Sequence, residues 1–283
     1  MTEKLRLTRY QDAAEFARRV EPFLVEHEAA NNLPLGLIAT VHEFTDSPYL
    51  ACVERDGEVA AVGLRTPPRG LVLSAVQETG ALELIAQDVF EAFGTLPDVA
   101  GPNPSPELFA GCWQSLSGQA YRLDVAMRIY CLDQVRPVTS VRGEARLATA
   151  QDYDLLWEWF YSFQSEALGE TDSSQVDAAV QRWLTSETRT LLLWCDEGRP
   201  VSLAGSNGPT PHGIRIGPVY TPPAYRNRGY ASACVADLSQ RMLDAGYRYC
   251  FLFTDLGNPT SNKIYQNIGY EPVCDVDKYR FEA

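Results

Sequence analysis

The chain has 283 residues, 45% hydrophobic and 22% charged, which excludes disordered, collagenous and coiled-coil classes and suits about two domains. Its net charge of −13, from 24 basic against 37 acidic side chains, argues against nucleic acid as a partner, because phosphate counterions are displaced by positive surfaces. No uncharged apolar run approaches the roughly 20 residues of a membrane span, and Met1–Arg6 does not read as a signal peptide, so no membrane partner and a cytoplasmic location are expected. Seven scattered cysteines without a CxxC pair speak against a disulfide framework or a bound metal. Cys52, Cys131, Cys195 and Cys250 lie in apolar runs and read as small buried hydrophobes.

In chain order, the spacing predicts helices at about 11–27 and 34–43, a strand at 49–53, the Asp56-Gly57 turn and its partner strand at 58–64. A strand at 71–76, a helix at 80–93, a short strand near Val99, a helix at 105–117 and a long strand at 121–132 follow. Residues 137–143 read as a linker, and the same order then repeats. Helices are expected at 151–168 and 174–185, a hairpin at 190–195 and 200–204 around Glu197-Gly198, and a strand at 213–221. A helix at 229–244 stopped by Gly246, a strand at 249–254, a short helix at 259–267 closed by Gly269 and an extended end at 270–281 complete it. The aromatic cluster Trp157, Trp159, Phe160, Tyr161 and Phe163 is explained most simply as a helix packed on a sheet, the other reading being a pocket lining.

Two stretches carry chemistry. After Val219, Tyr220 and Thr221, two prolines force an extended turn into Arg226, Asn227, Arg228 and Gly229, and a helix starts with Tyr230, Ala231 and Ser232. A helix start offers unpaired N–H groups and partial positive charge to an anion, Gly229 removes a Cβ from its approach, and the arginines add local cations. Downstream, Asn258 or Ser261 can cap the helix that begins with Pro259, and Tyr265 lies about one turn further on the same face. Asn258 offers hydrogen bonds to an amide-bearing ligand and Tyr265 a phenolic proton; packing is the competing role for Tyr265.

Together these residues resemble the GNAT N-acetyltransferase superfamily. Arg226, Gly229 and Ala231 meet its acyl-CoA signature, and Asn258, Ser261, Tyr265, Gly269 and Tyr270 meet the segment that follows. The resemblance covers about 145–283, and more weakly the whole chain is similar to bacterial tandem-GNAT proteins with an FR47-like C-terminal domain. It implies an α/β (α+β) fold of two GNAT-like domains, each a twisted, mixed, mainly antiparallel sheet flanked by helices. The domains would span 1–136 and 145–283, with 137–144 as linker.

The resemblance further implies a V-shaped split beside a bulge at Pro218, and acetyl-CoA as co-substrate. Backbone groups of Val219, Tyr220 and Thr221 would pair with pantetheine and those of Asn227–Ser232 would cradle the pyrophosphate. An N–H at the bulge would polarise the thioester, and Tyr265 would protonate the departing thiolate. Where many relatives place a basic glutamate this sequence has Arg215, able to hold an acidic substrate or pair with Asp255; His212, Glu166 and Glu170 are weaker candidates for the base. In the first half, Gln77 and Gly80 form a degenerate phosphate signature spoiled by Glu78, so that domain is expected to lack CoA binding. The acidic residues Glu26 and Glu28 read as a solvated helix face or as an attraction for a cationic amine. The expected activity is acetyl transfer to a primary amine of a small molecule or peptide, with a homodimer open. Other acyl or aminoacyl transfer, or non-catalytic acetyl-CoA sensing, are the alternatives.

Overall fold

The computed structural model describes residues 5–44, 46–76, 78–139, 141–168 and 173–282. Met1–Lys4, Gln77, Ser140 within the expected linker, and Glu170 lie outside them. The chain forms two compact units, Met1–Cys131 with Phe253–Asn262 and Glu271–Ala283, and Leu132–Leu252 with Lys263–Tyr270.

The first unit runs β1 (Leu5–Tyr10), α1 (Ala13–Val25), α2 (Asn32–Ala39), β2 (Tyr49–Arg55), β3 (Glu58–Arg65), β4 (Leu71–Leu73), α3 (Thr79–Phe93), β5 (Asp98–Pro102), α4 (Ser105–Ser117) and β6 (Tyr121–Leu132). Strands β1 to β4 pair antiparallel in sequence and β4 pairs parallel with β5. Side chains of β2 alternate between two cores, as the two-residue period of a strand requires. Tyr49, Ala51 and Val53 face α3 and α4, where Ile85, Phe109 and Trp113 are fully buried; Leu50 and Cys52 face Phe16, Val20 and Leu24 of α1.

The second unit runs β7 (Glu144–Leu147), α5 (Tyr153–Leu168), α6 (Ser173–Thr185), β8 (Thr190–Asp196), β9 (Arg199–Asn207), β10 (Gly213–Tyr220), α7 (Tyr230–Asp244), β11 (Tyr249–Asp255) and α8 (Pro259–Ile268), except that the end of β11 from Phe253 and the start of α8 as far as Asn262 belong to the first unit. It repeats the pairing plan, with β7 to β10 antiparallel in sequence and β10 parallel to β11. The two hairpin turns occupy matching places, with φ 52° and 90° at Asp56 and Gly57 and φ 51° and 77° at Glu197 and Gly198, the twist-matched turn of a two-residue hairpin. Leu191, Leu193 and Cys195 of β8 pack on Leu156, Trp159 and Phe160 of α5 and on Val176, Val180 and Trp183 of α6. The aromatic cluster is therefore largely core, while Trp157 and Tyr161 stack on each other at 5.3 Å.

The structure departs from the sequence reading in three places. Strands β1 and β7 went unpredicted; each bonds to one neighbour within its unit and carries charged residues along a short run, which blurs the alternation. The expected helix at 34–43 stops at Ala39 and continues as a separate 3₁₀ turn, Val41–Glu43. The third difference is larger. The last strand, β12 (Glu271–Phe281), pairs antiparallel with both β5 and β6, and Tyr279 and Phe281 join the core of the first unit. The division thus differs from a cut at 137–144, because 145–283 does not stay within one unit.

None of the seven cysteines is in a disulfide; Cys52, Cys195, Cys234 and Cys250 are buried, whereas Cys131 is only half-buried. Among the described residues, no helix is long and apolar enough to cross a membrane.

Candidate active site

The site begins where β10 loses its regular pairing. Its parallel ladder with β11 runs from Gly213 opposite Tyr249 to Arg215 opposite Phe251. Its antiparallel ladder with β9 shifts register between Ile216 and Val219, a bulge around Gly217 and Pro218. Proline suits this position because a bulge needs no ladder donor. Beyond the bulge Val219 pairs with Ala204 and Tyr220 with Leu203, while the edge toward β11 carries no further recorded pair among the described residues. The Tyr220 ring is buried against Trp159 and Phe163, so only its backbone faces that edge.

The chain then turns through Pro223–Tyr225 into Arg226, which is extended at φ −66° and ψ 162°. Asn227 has φ 62° and Gly229, the residue capping α7, has φ 82°. Alternation of left-handed residues turns successive N–H groups to one side and makes an anion-binding concavity. The first helical bond runs from Ala233 N–H to Gly229 C=O, which leaves the N–H groups of Tyr230, Ala231 and Ser232 without a helical acceptor. The glycine is needed for its φ, and a Cβ there would also stand 2.9 Å from Cγ2 of Val141.

The two loop arginines differ. Arg226 is not a free cation: its Nη2 donates to both carboxylate oxygens of Glu166 on α5, at 2.9 and 2.7 Å, and its Nε donates to the Thr221 carbonyl at 2.8 Å. Glu166, a candidate base from sequence, thus anchors the loop and also accepts from the Tyr220 hydroxyl at 3.3 Å. The Tyr230 hydroxyl donates to Asp196 at 2.5 Å, which removes its side chain from any ligand and leaves its backbone. Beside it, Asp196, Glu197, Arg199, Tyr225 and Arg228 line a cavity of about 230 Å³ in which two carboxylates face two guanidinium groups.

Helix α8 is capped as expected, with Asn258 Oδ1 accepting from Ser261 N–H at 3.1 Å. That bond occupies the Asn258 carbonyl and leaves its amide nitrogen. Tyr265 lies half-buried further along the helix, edge-on to Tyr270 at 6.0 Å, and its hydroxyl makes no hydrogen bond with another described residue. Desolvation pushes its phenol up to about 12. Tyr270 is itself held by Ser239 of α7 through a 2.8 Å hydroxyl pair, a support the sequence reading missed.

The remaining candidates fall elsewhere. His212 is exposed, and its carbonyl accepts from Arg248 and Tyr249 N–H groups. Arg215 donates to Asn207 at 2.8 Å, whereas Asp255 accepts from Gly257 N–H. In the first unit Glu78 forms an ion pair with Arg55 at the start of α3, and Gly80 has no left-handed φ but packs near Leu5. The α3 terminus therefore lacks the concavity of α7.

Residues 153–270 match the model of the Acetyltransferase (GNAT) family. No curated protein matches the chain by sequence. Solved structures similar over nearly the whole chain include a Drosophila protein, with 13% identity, TM-score 0.67 and 99% of each chain covered. A GCN5-related N-acetyltransferase from Sphaerobacter thermophilus has 17% identity and TM-score 0.61, with 97% of this chain and 95% of that one covered. A tandem GNAT protein from the clavulanic acid biosynthesis pathway has 11% identity and TM-score 0.53, with 98% of each covered. At these identities the likeness shows a shared fold through both halves.

Proposed function

We propose that this chain, whose residues 153–270 match the acetyltransferase (GNAT) family model, is an acetyl-CoA-dependent N-acetyltransferase acting on a primary amine of a small molecule or peptide. The observation that carries the reading is continuity: the bulged edge of β10 leads through one turn into the N–H concavity at the α7 N-terminus. The residues fit acetyl-CoA. An unpaired strand edge suits the amides of a pantetheine arm, and the orphan N–H groups of 230–232, on a helix dipole, suit a pyrophosphate. Bound there, acetyl-CoA supplies an activated thioester.

The chain's own part is positioning and proton transfer. Val219, Tyr220 and Thr221 would align the arm through their backbone, and Asn227–Ser232 would hold the phosphate end. Tyr265, protonated at every physiological pH, would give its proton to the leaving sulfur as the amine attacks directly. Glu166 is held on Arg226, which speaks for an anchoring role over that of the base. In this reading the amine enters neutral or loses its proton through water.

Calorimetric titration with acetyl-CoA, followed by CoA release across an amine panel, tests the reading. Saturable binding with turnover supports it; absence of binding refutes it, and binding without turnover on any amine favours a sensor. Thiol detection needs a protein-only control, since Cys112, Cys131 and Cys274 are partly exposed.

A further inference from the structure

Arg215 lies on β10 two residues before Gly217, so both project to the same side as the strand enters its bulge. Its Nη2 donates to Asn207 Oδ1 at 2.8 Å, and Asn207 Nδ2 donates in turn to the Gly217 carbonyl at 2.6 Å. The guanidinium is thereby tied to the bulge. Gly208, at φ 60°, admits it, for a Cβ there would stand 2.5 Å from Nη2. Its Nη1 is enclosed without any hydrogen-bond partner, and Arg215 makes no ion pair with a described residue.

Burial and, after it, the charge of Arg189 push Arg215 down to about 10. Arg189 lies 5.4 Å over the Trp183 ring. That ring abuts the bulge from β9: a Cβ on Gly205 would be 2.7 Å from Trp183 and 3.1 Å from Pro218. An enclosed guanidinium with an unused donor costs stability unless an acceptor completes it.

We infer that Arg215 binds a carboxylate carried by the acceptor, which is therefore an amino acid or another carboxylate-bearing amine. A planar carboxylate matches the guanidinium fork, and its place beside the bulge sets the attached amine near the expected thioester. The word acceptor rests on the acetyl-transfer reading above; the carboxylate site does not.

The full-length protein is titrated with N-acetyl amino acids and their carboxamides, and with inorganic phosphate. At least one acid should bind about tenfold or more tightly than its amide, the loss expected for one charge-assisted contact. Arg215→Gln should erase that preference while its melting temperature stays level or rises, which a structural arginine would not allow. Arg215→Lys, which keeps the charge, should fold and retain only part of the preference. No acid surpassing its amide, an unchanged preference in either variant, or phosphate binding as tightly as the best acid overturns the inference. Acetyl-CoA titration of the same preparations separates the two readings. Failure there sinks acetyl transfer, whereas failure of the acids alone sinks the carboxylate site.

Discussion

Tyr265 owes its place to a chain of contacts, since its ring leans on Tyr270 and the Tyr270 hydroxyl is held by Ser239. Removing only its hydroxyl keeps the ring contact, so Tyr265→Phe should lower kcat by about 10²–10⁴-fold and leave acetyl-CoA affinity unchanged. Kinetics paired with calorimetry check this; turnover within about twofold of the parent marks a packing residue. An acid works only while protonated, and a pKa raised to about 12 extends that state upward. The kcat profile should therefore show no alkaline fall near the ordinary tyrosine value, about 10, that Tyr265→Phe abolishes. At Gly229, φ 82° and the nearby Val141 methyl both oppose a side chain. Gly229→Ala should cost about 1–2 kcal/mol in chemical denaturation and weaken acetyl-CoA binding, and Gly229→Asp should abolish binding by placing a carboxylate in the concavity.

At the scale of elements, the loop between β10 and α7 is set by an arginine that spans it. Arg226 ties the Thr221 carbonyl on one side to Glu166 of α5 on the other. Both side chains are partly in water, at 42% and 47% exposure, so the pair contributes at most about 1 kcal/mol to stability. Glu166→Gln should leave the melting temperature nearly unchanged but raise KM for acetyl-CoA, because the concavity loses its tether. Steady-state kinetics decide between roles: an unchanged KM with a collapsed kcat would restore Glu166 as the base.

At the scale of the molecule, β12 makes the first unit dependent on the end of the chain. It lies between β5 and β6, and Phe281 packs against the fully buried Trp113 at 5.8 Å. Deleting residues 271–283 should therefore unfold the first unit, and a 1–136 fragment should not fold alone; circular dichroism and proteolysis check both. Phe281→Ala should destabilise by about 3–5 kcal/mol in denaturant titration, the range for deleting a buried aromatic.

Elements with strong local periodicity were legible in the sequence, down to α4 at 105–117 and β6 at 121–132. So were the turn from β10 into α7, the Asn258 cap of α8 and the repeated order of the halves, because turns, caps and hairpins are set by residues a few positions apart. Tertiary structure alone decided the partners of charged side chains. Arg226 meets Glu166 60 residues away in sequence, and Arg215 of β10 meets Asn207 at the end of β9. It also decided where β12 goes, since an amphipathic strand specifies which face is buried but not which backbone it pairs with. Distant pairing is chosen by the packed core, and no local pattern encodes it.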